Sequence, residues 1–178
     1  MHIAPFSAPS GAAQLLAAAP VAVWAEHASH KVFRAAQPPA GPLPPAAGPA
    51  HVACPGLMQG ATTAVQLVLH TSQAVTCSVG WVAGEALTAG LVLSVNISAP
   101  SGAYGSVGLH PDPIVPLAAG APFVVPAGVA QPIYIKLTAA AAALTITCGD
   151  DAPIHIALTA EVRPGEDGER ELISGVSG

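Results

Sequence analysis

The chain has 178 residues, of which 52% are hydrophobic, 8% charged and 4% aromatic, and five Lys+Arg against ten Asp+Glu leave a formal charge of -5. No basic stripe is available for phosphate neutralisation, which argues against nucleic-acid binding. The scarcity of charge and the high apolar content also argue against general disorder, despite 18 glycines and 19 prolines.

Length fits one domain with tails. The mean hydropathy of +0.57 would suit a membrane protein. Yet the longest stretch without a strongly polar residue, Ile114 to Ala130, contains Pro116, Pro122 and Pro126. A spanning helix needs ~20 apolar residues and does not tolerate three prolines, so no membrane span is expected.

Residues 1–19 are rich in Ala, Ser and Pro and lack alternation. They read as a flexible arm, or as a short helix from Gly11 to Ala19. The first basic residue is Lys31, so Leu15-Leu16-Ala17 makes a weak signal-peptide core. The compartment stays open, with an extracellular or cell-surface location as one option.

The sandwich domain is placed at 20–163. Its first β-like runs are Val21 to Trp24 and His30 to Arg34. Residues 37–50 form a Pro-rich connection that cannot be a central strand, because proline lacks the ladder donor. Thr63 to His70 alternates, with Val65, Leu67 and Leu69 on one face and Gln66, Val68 and His70 on the other. Ala74 to Val82 puts Val75, Cys77, Val79 and Trp81 in phase, and Leu91 to Ile97 does the same for Leu91, Leu93, Val95 and Ile97. Phe123 to Val125, Ile133 to Thr138, Leu144 to Cys148 and Ile154 to Val162 follow. Thr138 to Leu144, with five consecutive alanines, is either a short helix or an extended Ala-rich strand. Eight to ten short strands separated by Gly/Pro turns predict an all-β, antiparallel sandwich. From Pro164 the chain reads as a charged linker or tail, since six of the fifteen charges fall between Arg163 and Glu171.

Four segments, in order, resemble one family. Val23-Trp24-Ala25 with Lys31-Val32-Phe33-Arg34 looks like its opening strands, and Gln66-Leu67-Val68-Leu69 like its "Q-L-V-L" strand. His110-Pro111-Asp112-Pro113-Ile114-Val115-Pro116 resembles its "Y-P-D-P-L-x-P" loop. Phe123-Val124-Val125-Pro126-Ala127-Gly128 with Gln131-Pro132-Ile133-Tyr134-Ile135 resembles "F-x-V-x-A-G-x-x-Q-P-[VI]-[WY]-[VI]". The family is the immunoglobulin-like N-terminal domain of glycoside-hydrolase-family-123-like proteins, in which the sandwich precedes a catalytic (β/α)8 barrel. The resemblance covers roughly residues 21–163. Three departures are visible. Ala61, Thr62 and Thr63 replace the expected acids, Ala139 to Ala143 stands near a missing "Y-x-G" strand, and the chain ends where the barrel would begin. The resemblance implies an accessory sandwich without the enzyme, with a barrel or carbohydrate as its partner.

The residues carry little chemistry of their own. Asp150-Asp151, the paired acids, suit a tight turn better than glycoside hydrolysis, which needs two carboxylates held apart across the bond. His27-x-x-His30 and His51-x-x-Cys54 offer two ligands each where a structural zinc needs four. No metal, cofactor or catalytic residue is expected, and the chain reads as a non-enzyme. Asp112 between its two prolines, its neighbour His110, and Tyr104 in a Gly-rich segment are the candidate ligand-binding residues. The alternative for Asp112 is an Asx turn. Trp24, Trp81, Tyr104 and Tyr134 could build a sugar-stacking platform, but Trp81 and Tyr134 fall in phase with apolar neighbours and are assigned to core packing, with Tyr104 the aromatic expected near the surface. Asn96 opens a glycosylation sequon, Asn96-Ile97-Ser98. Cys54, Cys77 and Cys148 are three buried thiols, or one disulfide with a thiol left over. A second function reading is a self-assembling surface or capsid-like protein, because few charges oppose edge pairing.

Overall fold

The computed structural model describes residues 14–18, 21–39, 49–58, 60–82, 87–99 and 107–163. Within them every regular element is a strand: β1 (Gln14–Ala18), β2 (Val21–His27), β3 (Ala50–Met58), β4 (Thr63–Thr71), β5 (Val75–Gly80), β6 (Leu87–Ile97), β7 (Gly108–Leu117), β8 (Pro122–Val125), β9 (Gln131–Leu137), β10 (Ala141–Cys148) and β11 (Ile154–Arg163). No described helix is long and apolar enough to cross a membrane. One sheet has the order β1-β2-β4-β9-β6-β7 and the other β3-β11-β10-β5-β8. The result is an immunoglobulin-like β-sandwich.

Strict alternation builds the core. Val65, Leu67 and Leu69 of β4 and Ile133, Ile135 and Leu137 of β9 point inward from the first sheet. Val79, Ile146, Ile156 and Leu158 answer them from the second. Burying such a side chain is worth about 1.5–3 kcal/mol, so the period-2 phase decides which face each strand presents.

The outer face of the first sheet carries a second, smaller core. Trp24, Val68, Ala130 and Val32 pack there, all nearly inaccessible. Val32 belongs to the segment 28–39, which folds over the sheet as turns and irregular chain rather than as the expected strand at His30 to Arg34. Gln66 holds it down. Its buried amide nitrogen lies 3.2, 3.2 and 2.7 Å from the carbonyls of His27, Ala28 and His30. The His27 carbonyl also accepts from His30 N at 2.9 Å, so it is the Ala28 and His30 carbonyls for which the amide matters most.

Four expectations need correction. Gln14–Ala18 pairs antiparallel with β2, so this part of the N-terminal segment is neither an arm nor a helix. β3 was not expected, because Pro55 and Gly56 interrupt it and only Val52, Cys54 and Leu57 are buried. It runs parallel to β11, which makes the second sheet mixed rather than antiparallel. His110 to Pro116 is not a loop but most of strand β7. The Ala-rich run resolves as a strand, with Ala141, Ala142 and Ala143 opposite Thr159, Leu158 and Ala157.

Cys77 and Cys148 stand opposite each other on β5 and β10 and are joined by a disulfide, leaving Cys54 as a free, buried thiol. The three-thiol reading is therefore overturned. Strict inward phase on both strands placed the two sulfurs in one cross-strand pair.

Candidate functional site

Of the residues singled out by the sequence, His110 and Asp112 lie on β7 and Asn96 on β6. β9 pairs with β6 only from Leu87 to Leu91. Beyond that point β6 keeps β7 as its ladder partner, to Ile97↔Gly108. This far half is a two-stranded ribbon at the edge of the first sheet.

The ribbon is bulged at Asp112. Val92 pairs with Ile114 and Ser94 with Pro111, so Asp112 and Pro113 together oppose Leu93. An extra residue bends the strand and raises its twist. It also explains why two prolines fit here, since proline is tolerated at bulges and on edge strands. Asp112 is exposed, and no hydrogen bond to its carboxylate occurs among the described residues, so the Asx-turn alternative is not what is seen. His110, two residues away, is half-buried and meets the exposed ring of Phe33 edge-on at 5.7 Å. It ties the 28–39 segment to the ribbon. Tyr104 lies outside the described residues. Asn96 is exposed near the end of β6, in the phase opposite to Val95 and Ile97.

The more informative feature is one that single-residue reading missed. Leu87, Ala89 and Leu91 form the inward row of β6 and belong to the core or pack on it. In the same phase Leu93 and Val95 are 41% and 38% exposed. The inward row thus continues after the second sheet has ceased to cover it. Val107, Leu109, Ile114 and Val115 are exposed on or beside the paired strand. Six of the ten large hydrophobics that the described surface exposes lie on this one ribbon or beside it. The alternation of Leu91 to Ile97 was legible; where its cover stops was not.

The remaining candidates scatter. Glu26 accepts a hydrogen bond from the Trp24 indole at 3.1 Å, and its second oxygen lies 2.8 Å from His30 Nδ1. His27 Nδ1 lies 2.7 Å from the Ser29 hydroxyl. His51 is exposed and Cys54 buried, on opposite faces of β3. Asp150 sits in the β10–β11 turn, where Gly149 adopts a φ of 56° and Asp151 N donates to Cys148 O at 3.2 Å. No group of three or more His, Cys, Asp or Glu stands together among the described residues. Tyr134 is half-buried on the face opposite to Ile133 and Ile135, rather than in their core.

No family model and no curated protein matches the chain. Among solved structures it is similar to a family 123 glycoside hydrolase from Clostridium perfringens, studied for glycolipid glycan hydrolysis. The TM-score is 0.50 at 8% identity, over 80% of this chain and 28% of that one. It is also similar to PapD-like domain 7 of human CEP192, with a TM-score of 0.33 at 10% identity, over 64% of this chain and 82% of that domain. At 8% identity the likeness to the hydrolase is one of fold alone. The chain spans little more than a quarter of the hydrolase chain it matches.

Proposed function

We propose that this chain is a non-catalytic β-sandwich module that packs on a partner domain of a glycoside-hydrolase-like protein through the β6–β7 ribbon. The observation that carries this reading is the uncovered continuation of the core row, Leu93 and Val95, with Val115, the partner of Leu91, exposed on the same face. Contiguous apolar surface of this kind marks interaction sites. Asp112 is the single charged residue on the two strands that form it, in keeping with the charge-poor centre of protein interfaces.

The distribution of acids supports a non-catalytic role. Glu26 is tied to Trp24 and His30, Glu161 is exposed and paired with Arg163, and Asp150 and Asp151 shape a turn. Asp112 stands alone on the ribbon. A glycosidase needs two carboxylates facing one bond.

Edge-to-edge self-assembly, the rival reading, is opposed at two of the four sheet edges, β7 and β8. β7 carries Pro111, Pro113 and Pro116, and β8 is four residues long. Edge prolines and very short edge strands both block strand addition.

A photo-crosslinking residue at position 93 or 95, in the source cell, tests the proposal. Crosslinks identified by mass spectrometry to a hydrolase-type barrel support it. Crosslinks only to copies of this chain favour assembly. Turnover of an N-acetylhexosaminide by the isolated chain, lost in Asp112→Asn, would overturn the non-catalytic reading.

A further inference from the structure

We propose that the outer face of the second sheet holds a subsite for one neutral sugar ring, beside Trp81. This proposal does not rest on ribbon docking, since the ribbon belongs to the other sheet.

The register builds the site. Thr145 on β10 stands opposite both Gly80 on β5 and His155 on β11, and the next outward pair is Ala143 with Ala157. Their neighbours Val79, Leu144, Ile146 and Ile156 point into the core, so these five residues share the outward face. Gly80, Ala143 and Ala157 have almost no side chain, and a hollow of about 360 Å³ opens over them. Val82, Pro49 and Trp81, which is half-buried and packs in part against the main core, line its sides. Its polar feature is Thr145 Oγ1, 3.1 Å from His155 Nδ1.

The lining selects the ligand class. It contains no Asp, Glu, Lys or Arg, so an ionic ligand would find no counter-charge. A wholly apolar ligand would leave the remaining hydrogen-bonding positions of the Thr145–His155 pair unanswered, at about 1–3 kcal/mol for each. A pyranose ring meets both demands: its C–H face suits Trp81, and its hydroxyls can both donate to and accept from a hydroxyl and an imidazole. The volume lies at the small end of the ~300–1,000 Å³ range of ligand pockets, which suits a single ring. Trp24 is fully buried and Trp81 half-buried, so ligand-sensitive tryptophan fluorescence reports on this hollow.

The test titrates the full chain with the methyl glycosides of glucose, galactose, N-acetylglucosamine and N-acetylgalactosamine up to tens of millimolar. Tryptophan fluorescence and amide chemical shifts are followed together. The expected result is a saturable, millimolar response to at least one glycoside, with shifts at Gly80, Ala143 and Ala157. Thr145→Val and His155→Ala, both on the outer face, should each weaken it about 3- to 10-fold, the worth of one net hydrogen bond. Trp81→Ala should abolish it in a chain whose circular dichroism is unchanged. Three outcomes would each overturn the proposal: no saturable response to any of the four, a response insensitive to Thr145→Val and His155→Ala, or saturation by benzyl alcohol where the glycosides fail. Leu93→Lys/Val95→Lys should leave the sugar response intact, which separates this proposal from the docking one.

Discussion

The side-chain amide of Gln131 donates to the main-chain carbonyl of Val92 at 3.0 Å. Main-chain pairing between β6 and β9 has its last rung at Leu91↔Ile133, so this amide supplies the next link across the gap where the ribbon leaves the sheet. The same nitrogen also reaches Pro132 O at 3.1 Å.

Gln131→Ala should therefore loosen the ribbon more than the body of the sandwich. One lost hydrogen bond costs about 1 kcal/mol. Amide exchange should accelerate at residues 92–97 and 108–114, while β4 and β9 keep their protection. Uniform acceleration over all strands would show that the amide supports the sheet as a whole.

Gly90 governs the other side of β6, where that strand meets β7. A Cβ there would lie 2.5 Å from Ile114 Cγ2 and 3.1 Å from Val115 O. Gly90→Ala should destabilise the fold by about 1–3 kcal/mol, as overpacking does. Adding Ile114→Ala removes the nearer atom and should recover part of the loss, because the two sites are in contact. Denaturant melts of the single and double variants measure this coupling; strict additivity would count against the contact.

The Cys77–Cys148 disulfide closes a loop between residues 71 apart. In the chain-entropy account a loop of this size is worth roughly 4 kcal/mol, chiefly through the unfolded state. Cys77→Ala/Cys148→Ala should lower stability by about 2–4 kcal/mol, read from urea midpoints. A reductant should shift the native chain toward the variant and leave the variant itself unmoved.

What the sequence disclosed follows period and burial. β4, β5, β9 and β11 announced themselves because apolar and small or polar residues alternate under a covered sheet. β3 and β7 did not, because their prolines and glycine carry breaker signals that a bulge or an edge position neutralises, and that is a tertiary property. The inward phase of Leu91 to Ile97 was readable, yet the exposure of Leu93 and Val95 depends on how far the opposite sheet extends. Asp112 and His110 were singled out for a local reason, their proline-framed backbone. Their setting in a bulged edge ribbon is set by pairing with β6. The hollow beside Trp81 joins residues from β5, β10 and β11 and has no linear signature at all.

Burial pushes the Cys54 thiol from 9.0 up to about 11. The folded state thus holds its proton where the unfolded chain has lost it. Since stability falls with pH wherever the unfolded state binds fewer protons, the contribution is intact below pH 9 and is lost between about 9 and 11. The loss is about 3 kcal/mol at most. Cys54→Ala should flatten that part of the stability profile relative to the native chain. An equal decline in both would assign it to other groups.

Thr71 makes the opposite case to Gln66. Both side chains are buried, but the Thr71 hydroxyl has no hydrogen-bond partner among the described residues, whereas the Gln66 amide has three acceptors. An unsatisfied buried hydroxyl costs roughly 1–3 kcal/mol, and valine has nearly the same shape. Thr71→Val should therefore stabilise the sandwich by up to about 1 kcal/mol. Gln66→Leu should destabilise it by about 2–3 kcal/mol, because the Ala28 and His30 carbonyls lose their side-chain donor. The pair of thermal melts is decisive in sign: a destabilised Thr71→Val would mean that the hydroxyl is held by a bond, such as to a buried water, that offsets its burial.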